Sequence, residues 1–332
     1  MRPLLRLPAC SLPRALAAAL LICFALIARS QSPDLDELRT NAESGNAESL
    51  NAMGLAYKNG RGVETNLEQA AAYFRKAAEK GNAAAQRNLG QLLAEGKGVK
   101  QDLNEAVRWL RQATDRNYPS AQYQLAVLYV DGKATPPAPE AAVKLLRQAA
   151  ENNYAEAQSL LAILYIEGRG GAATDYTQAI KWAKKAVDLN FAAAQSTLGW
   201  MYANGKGMPQ DFAAALELFR KAASQNFADA QNNLGKMYED GHGVPQDFAE
   251  AGRWYRIAAE RGFGGAQNNL ALLTAFGKGV AKDPVEAAKW FALAAQHGDN
   301  NGANIRTVLL KEMTAQQIAE AEKLVKEFVP KN

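Results

Sequence analysis

Apolar positions along this chain come in two alternating helical runs, and the clearest pair lies between Ala230 and Gly262. In the first run Ala230, Leu234, Met237 and Tyr238 fall at helical spacing, and Gly241 and Gly243 end it. Asp247 then opens a second helix whose inward face is expected to be Ala251, Trp254, Tyr255 and Ala258. Two short helices folded back on each other cannot bury both faces by themselves, so a neighbouring copy has to cover what remains. The pattern therefore predicts a stack.

Seven copies align. The leucine-type position recurs at Met53, Leu89, Leu125, Leu161, Leu198, Leu234 and Leu270, a spacing of 36 with a single 37. The large position of the second helix is Tyr73, Trp109, Leu145, Trp182, Leu218, Trp254 and Trp290, and Trp109 or Trp254 to Ala should cost ~3 to 5 kcal/mol as a core deletion. Gly60, Gly96, Gly132, Gly168, Gly205, Gly241 and Gly277 follow the first helices, where a left-handed C-cap suits glycine. Second helices open at Asn66, Asp102, Asp175, Asp211, Asp247 and Asp283, with Glu105, Glu250 and Glu286 placed as capping-box partners. The ends differ: residues 31–45 read as an N-terminal capping helix, and 300–332 as C-terminal capping helices with a Thr314/Gln317 capping box and an apolar stripe of Ile318, Ala321, Leu324, Val325 and Phe328.

The repeated A-x-x-x-L-G-x-x-Y-x-x-G-x-G-V with D-x-x-x-A-x-x-W-x-x-x-A-A resembles the Sel-one-like repeat (SLR) family, relatives of tetratricopeptide repeats, over residues 46–299. The resemblance implies an all-α fold, a right-handed α-solenoid of seven helix-turn-helix repeats with capping helices. It also implies a role in assembling other proteins, often in the bacterial envelope or at host surfaces. The family's motif positions are scaffold positions, so none carries over as catalytic.

Charge and cysteines place the chain further. The formal charge is +4, but Arg2, Arg6, Arg14 and Arg29 stand in the first thirty residues with no acid among them, and 34 basic and 34 acidic residues remain beyond. A neutral body argues against nucleic acid as partner, since that binding needs clustered basic surface. Residues 1–30 read as a secretory signal, an apolar run from Ala15 to Ala28 followed by a small-x-small site, so the protein is expected to be exported, periplasmic or secreted. The alternative is an uncleaved anchor, for which the run is short. After cleavage no integral membrane segment is expected. Both cysteines, Cys10 and Cys23, lie in this leader, which leaves the mature chain without disulfides or thiolate sites.

No catalytic constellation emerges. His242 and His297 are the only histidines, each beside a glycine and without ligands at metal spacing, so loop solvation, no metal and no cofactor are the expectation. Function is then sought where copies disagree. Counting from the alanine of the first helix at ~100° per residue, positions two, six and nine residues on face away from the core. In repeats three to five these include Tyr123, Val127, Val130, Ile163, Ile166 and Trp200, an apolar strip on the inner, concave line of first helices. Such a strip suits a partner helix or peptide; alternatively, neighbouring first helices bury it against each other. Irregular loops flank the same repeats, at Gly132 to Pro139 and Gly168 to Asp175. The expectation is a non-enzymatic scaffold or adaptor that binds another protein through these repeats, as a monomer unless the strip mediates self-association. The alternative is a secreted hydrolase or glycan-binding protein that uses Trp200 and Tyr123 as a stacking platform.

Overall fold

The computed structural model describes residues 35–133 and 138–331, apart from the side chain of Pro139. The leader with both cysteines and the segment 134–137 lie outside the described residues. Among the described residues there are 17 helices and no strand. They group into two compact units, residues 1–124 and 125–332.

In the first unit α1 (Leu35–Glu43) precedes two hairpins, α2 (Ala47–Asn59) with α3 (Leu67–Glu79) and α4 (Ala83–Glu95) with α5 (Leu103–Thr114); α6 (Pro119–Val130) follows. Its core gathers Met53, Phe74, Leu89 and Leu92, all nearly inaccessible, with Ala42 and Leu38 of α1 packed against them. The second unit continues with α7 (Pro139–Glu151), α8 (Ala155–Glu167), α9 (Tyr176–Asp188), α10 (Ala192–Asn204), α11 (Phe212–Ser224), α12 (Ala228–Asp240), α13 (Phe248–Ala259), α14 (Gly264–Phe276) and α15 (Pro284–Gln296). Two further helices, α16 (Ala303–Glu312) and α17 (Ala315–Lys326), close it.

Local chemistry sets the helix ends. The seven first-helix C-cap glycines adopt φ between 60° and 70°, as expected of a left-handed cap. Asn66, Asp102, Asp175, Asp211, Asp247 and Asp283 each accept a first-turn amide. The capping boxes need correction. Glu105 and Glu286 do not reach back to the cap; they accept from Trp109 Nε1 (3.1 Å) and Trp290 Nε1 (3.2 Å) and from Arg75 and Arg256 of the preceding repeat. Only Thr314 and Gln317 reciprocate. The glutamates therefore tie one second helix to the next.

The large position also needs correction. Trp109, Trp182 and Trp290 are buried, but Trp254 is only half-buried, and its neighbour Tyr255 is the side chain that disappears from solvent. Gly235 on the facing helix makes the seat for Tyr255: a Cβ there would lie 2.7 Å from its ring. The Tyr255 hydroxyl donates to Glu239 Oε2 at 2.6 Å, and burial pushes its pKa up. Trp254 to Ala therefore removes less packing than the sequence pattern alone suggests, while the expectation for Trp109 keeps its basis.

Two further repeated devices join neighbouring elements. Gln86, Gln158, Gln231 and Gln267, each directly after the first-helix alanine, donate from Nε2 to the last-turn carbonyls of Ala78, Ala150, Ala223 and Ala259. The hairpin-to-hairpin turn has a left-handed residue, asparagine at 117, 153, 190 and 226 (φ 54° to 65°) and glycine at 45, 81, 262 and 298 (φ 84° to 86°).

The Arg75–Glu105 pair carries a pH prediction. Hydrogen bonding from Arg75 holds the Glu105 carboxyl below the usual carboxylate range, against the opposing effect of desolvation. A depressed carboxyl adds stability that is full above its unfolded pKa of about 4.3 and is lost as pH falls through the lower folded value. Glu105→Gln should thus weaken the protein at neutral pH and flatten the acid branch of its stability curve. Urea melts across this range test it, and an unchanged acid branch would show the pair to be idle.

Candidate binding surface on the first helices

The exposed face of the first helices is organised by a polar ladder. Asn88 Nδ2 donates to Asn51 Oδ1 at 3.2 Å, and Asn269 Nδ2 to Asn232 Oδ1 at 2.9 Å, each joining residues 37 apart on neighbouring first helices. Gln124 takes the same place opposite Arg87, accepting at 3.0 Å from Nε and from the terminal nitrogen. Between α10 and α12, Ser196 and Asn233 share the Asp229 carboxylate, at 2.6 and 3.1 Å. Thr197 occupies the equivalent rung in α10 but donates to Ala193 O of its own helix at 2.9 Å.

This ladder corrects the helical wheel at one of its three positions. The site two residues after the alanine does not simply face away: Ser159, Ser196 and Asn268 are buried there, because the neighbouring first helix closes over them. Six and nine residues on, the sequence-expected strip is half-buried at Val127, Val130, Ile163 and Ile166, and Tyr123 in the first unit is half-buried as well. Trp200 differs from them, with 37% of its surface exposed.

Trp200 lines a groove of about 510 Å³ in the second unit. Its other lining residues come from α10, α11, α12 and α14, from the loops before α11 and after α12 and from the stretch before α16, and include Asn232, Lys236, Asn269, Asp299 and Asn301. Lys236 is exposed and makes no ion pair among the described residues. At the groove His242 stacks on Phe212, centroids 4.3 Å apart and planes 9° from parallel, with Nδ1 3.9 Å from Asp240 Oδ2. Asn268, 5% exposed, has an Oδ1 with no hydrogen-bond partner. The second histidine, His297, lies 2.8 Å through Nδ1 from Gln267 Oε1, so both do more than meet solvent.

Sequence reasoning reached Trp200 because six of its counterparts are not tryptophan. It missed the groove, since α14 and the segment 299–301 contribute residues whose own copies show nothing unusual. The doubled asparagines at 232–233 and 268–269 were the available signal. Among the described residues no cluster of three or more His, Cys, Asp or Glu could hold a metal ion, and no helix is long and apolar enough to cross a membrane.

Successive helical hairpins that leave one helix of each pair open to a ligand define a repeat protein of the α-solenoid class. The chain belongs to the Sel1 repeat family: the Sel1 repeat model matches residues 47–82, 83–118, 119–154, 155–191, 192–227, 228–263 and 265–299. Among solved structures it is similar to a protective antigen of uropathogenic Escherichia coli displaying an SLR fold, at 34% identity and a TM-score of 0.76 over 89% of this chain and 63% of that one. It is also similar to a Sel1 repeat protein from Oxalobacter formigenes, at 30% identity and a TM-score of 0.64 over 86% and 83% of the two chains. The chain thus spans less than two thirds of the length of the Escherichia coli antigen. No curated protein matches it. Sel1 repeat proteins generally act as protein–protein interaction scaffolds and are typically non-catalytic.

Proposed function

We propose that this protein is an exported scaffold, periplasmic or secreted, that holds another protein against the first-helix face of repeats three to five. The observation that carries the reading is Trp200, a large ring 37% exposed on a face where its six counterparts are smaller or charged. Val127, Val130, Ile163 and Ile166 supply half-buried aliphatic surface of the kind that surrounds such an anchor, and aromatic anchors carry a disproportionate share of interface energy. The arginine-led apolar leader supports export, and the balanced charge beyond it fits a protein partner better than a polyanion.

Photo-crosslinking from residue 163 or 200 in cells, followed by identification of the captured chain, tests the reading. One defined partner is expected, and its capture should be lost when Ile163 and Trp200 are replaced by charged residues in a protein that keeps its helical content. Undiminished capture by the charged variant would remove the site assignment.

A further inference from the structure

We infer that the groove running from Trp200 past Asn232 and Asn269 to Asp299 is a binding site for a neutral oligosaccharide; it shares Trp200 with the surface assigned to the protein partner but none of Val127, Val130, Ile163 and Ile166. The lining chemistry is the argument. Carboxamides dominate it. Asn204, Gln210, Asn233 and Asn269 each spend one donor within the protein, but an amide nitrogen carries a second hydrogen and an amide oxygen a second lone pair. Sugar hydroxyls have the same dual character, so a pair of neighbouring hydroxyls can satisfy an amide in both directions. An apolar helix placed here would instead strip water from these amides and return nothing, at ~1 to 3 kcal/mol for each group left unpaired.

Charge excludes an acidic ligand. The lining carries one lysine, Lys236, beside two carboxylates, Asp240 and Asp299, and contains no arginine. A phosphate-rich or acidic ligand would lack partners. The flat carbon surface that a pyranose ring needs is present twice, at the exposed face of Trp200 and at the Phe212–His242 stack.

The test is intrinsic tryptophan fluorescence and calorimetry of the intact protein against β-1,4-linked oligomers of glucose and of N-acetylglucosamine, from dimer to hexamer. Saturable binding is expected, insensitive to added salt because the ligand is neutral. Trp200→Ala should weaken it by about tenfold or more and Trp200→Phe should largely restore it. Because Trp200 is exposed, neither change threatens the fold. Asn301→Ala, outside any helix, should weaken binding without altering the melting temperature. No saturable binding of either series overturns the inference, as does binding unaffected by both Trp200→Ala and Asn301→Ala. An unstructured polypeptide that binds the groove while the sugars do not would also overturn it, reassigning the site to peptide. Charged substitution at Ile163 should leave sugar binding intact, so either reading can fail alone.

Discussion

Gly279→Ala should cost this protein ~2 to 5 kcal/mol, combining ~1 to 2 for a left-handed non-glycine residue with ~1 to 3 for overpacking. Gly279 has φ +66°, and an added Cβ would collide with the backbone of Phe248 and Ala249 at the start of α13. Backbone cannot swing aside as a side-chain tip can, so the loop after α14 would have to lift away from the preceding repeat. The contrast that isolates contact from strain is Gly298→Asn. Gly298 is also left-handed, at φ +85°, but its Cβ direction is open, and asparagine already stands at the corresponding turns 117, 153, 190 and 226. That change should stay within ~0.5 kcal/mol. Urea denaturation gives both values, and amide exchange should show protection lost in α13 and α14 for Gly279→Ala. Equal damage from the two substitutions would mean that backbone strain alone decides.

Gly98 has the same relation to the backbone of Leu67, and Gly243 would set a Cβ 3.0 Å from Phe212 O. The two glycines of each G-x-G loop thus have separate tasks. The first ends a helix, a local matter visible in any single copy. At Gly98, Gly207, Gly243 and Gly279 the second lets one repeat rest on the helix start of the repeat before it, about thirty residues upstream, and no local signal distinguishes it. The same division runs through the molecule. The aspartate caps and the leucine register were legible because each is fixed by its own helix. That Glu105 turns to Arg75, or that Tyr255 displaces Trp254 from the core, depends on a facing residue such as Gly235 and emerges only from the packing.

The binding surface divides in the same way. Trp200 was legible as a copy that departs from its counterparts. Val127, Val130, Ile163 and Ile166 were legible as apolar but not as half-buried, because first helices approach one another closely enough to cover the position two residues after the alanine. The polar rungs show how close: Asn51 to Asn88 and Asn232 to Asn269 meet side chain to side chain. The two aspects of the array differ in what they can offer a partner. Amide rungs hold first helices together while leaving donors and acceptors on their outer edge. Aliphatic positions hold them by burial and leave carbon.

The largest loss from a single side chain is expected at the other end, from Trp290→Ala, at ~3 to 5 kcal/mol. The seventh repeat is followed by α16 and α17 in place of another copy, and these helices cover the face that a following repeat would cover. Trp290 is where that cover attaches. It is 1% exposed, meets Phe328 edge-on at 5.7 Å, and donates Nε1 to Glu286, which in turn accepts from Arg256 at 2.7 Å. Lys289 Nζ stands 4.1 Å from the indole centroid, and Lys331 pairs with Glu260 through both its amide and its ammonium. Truncation opens a cavity, deprives Glu286 of a donor and frees Phe328 together. Calorimetric or urea melts should show the loss, and amide exchange should show α17 released ahead of the rest. Trp254→Ala, at the matching position one repeat earlier, should cost clearly less because its ring is already half in water. Phe328→Ala should recover part of the Trp290→Ala effect, with a coupling of ~0.5 to 1.5 kcal/mol in the double-mutant cycle. If α17 keeps its protection in Trp290→Ala, the ring is not the attachment and the Lys331–Glu260 clasp holds the cap instead; Lys331→Ala in the same background would then release it.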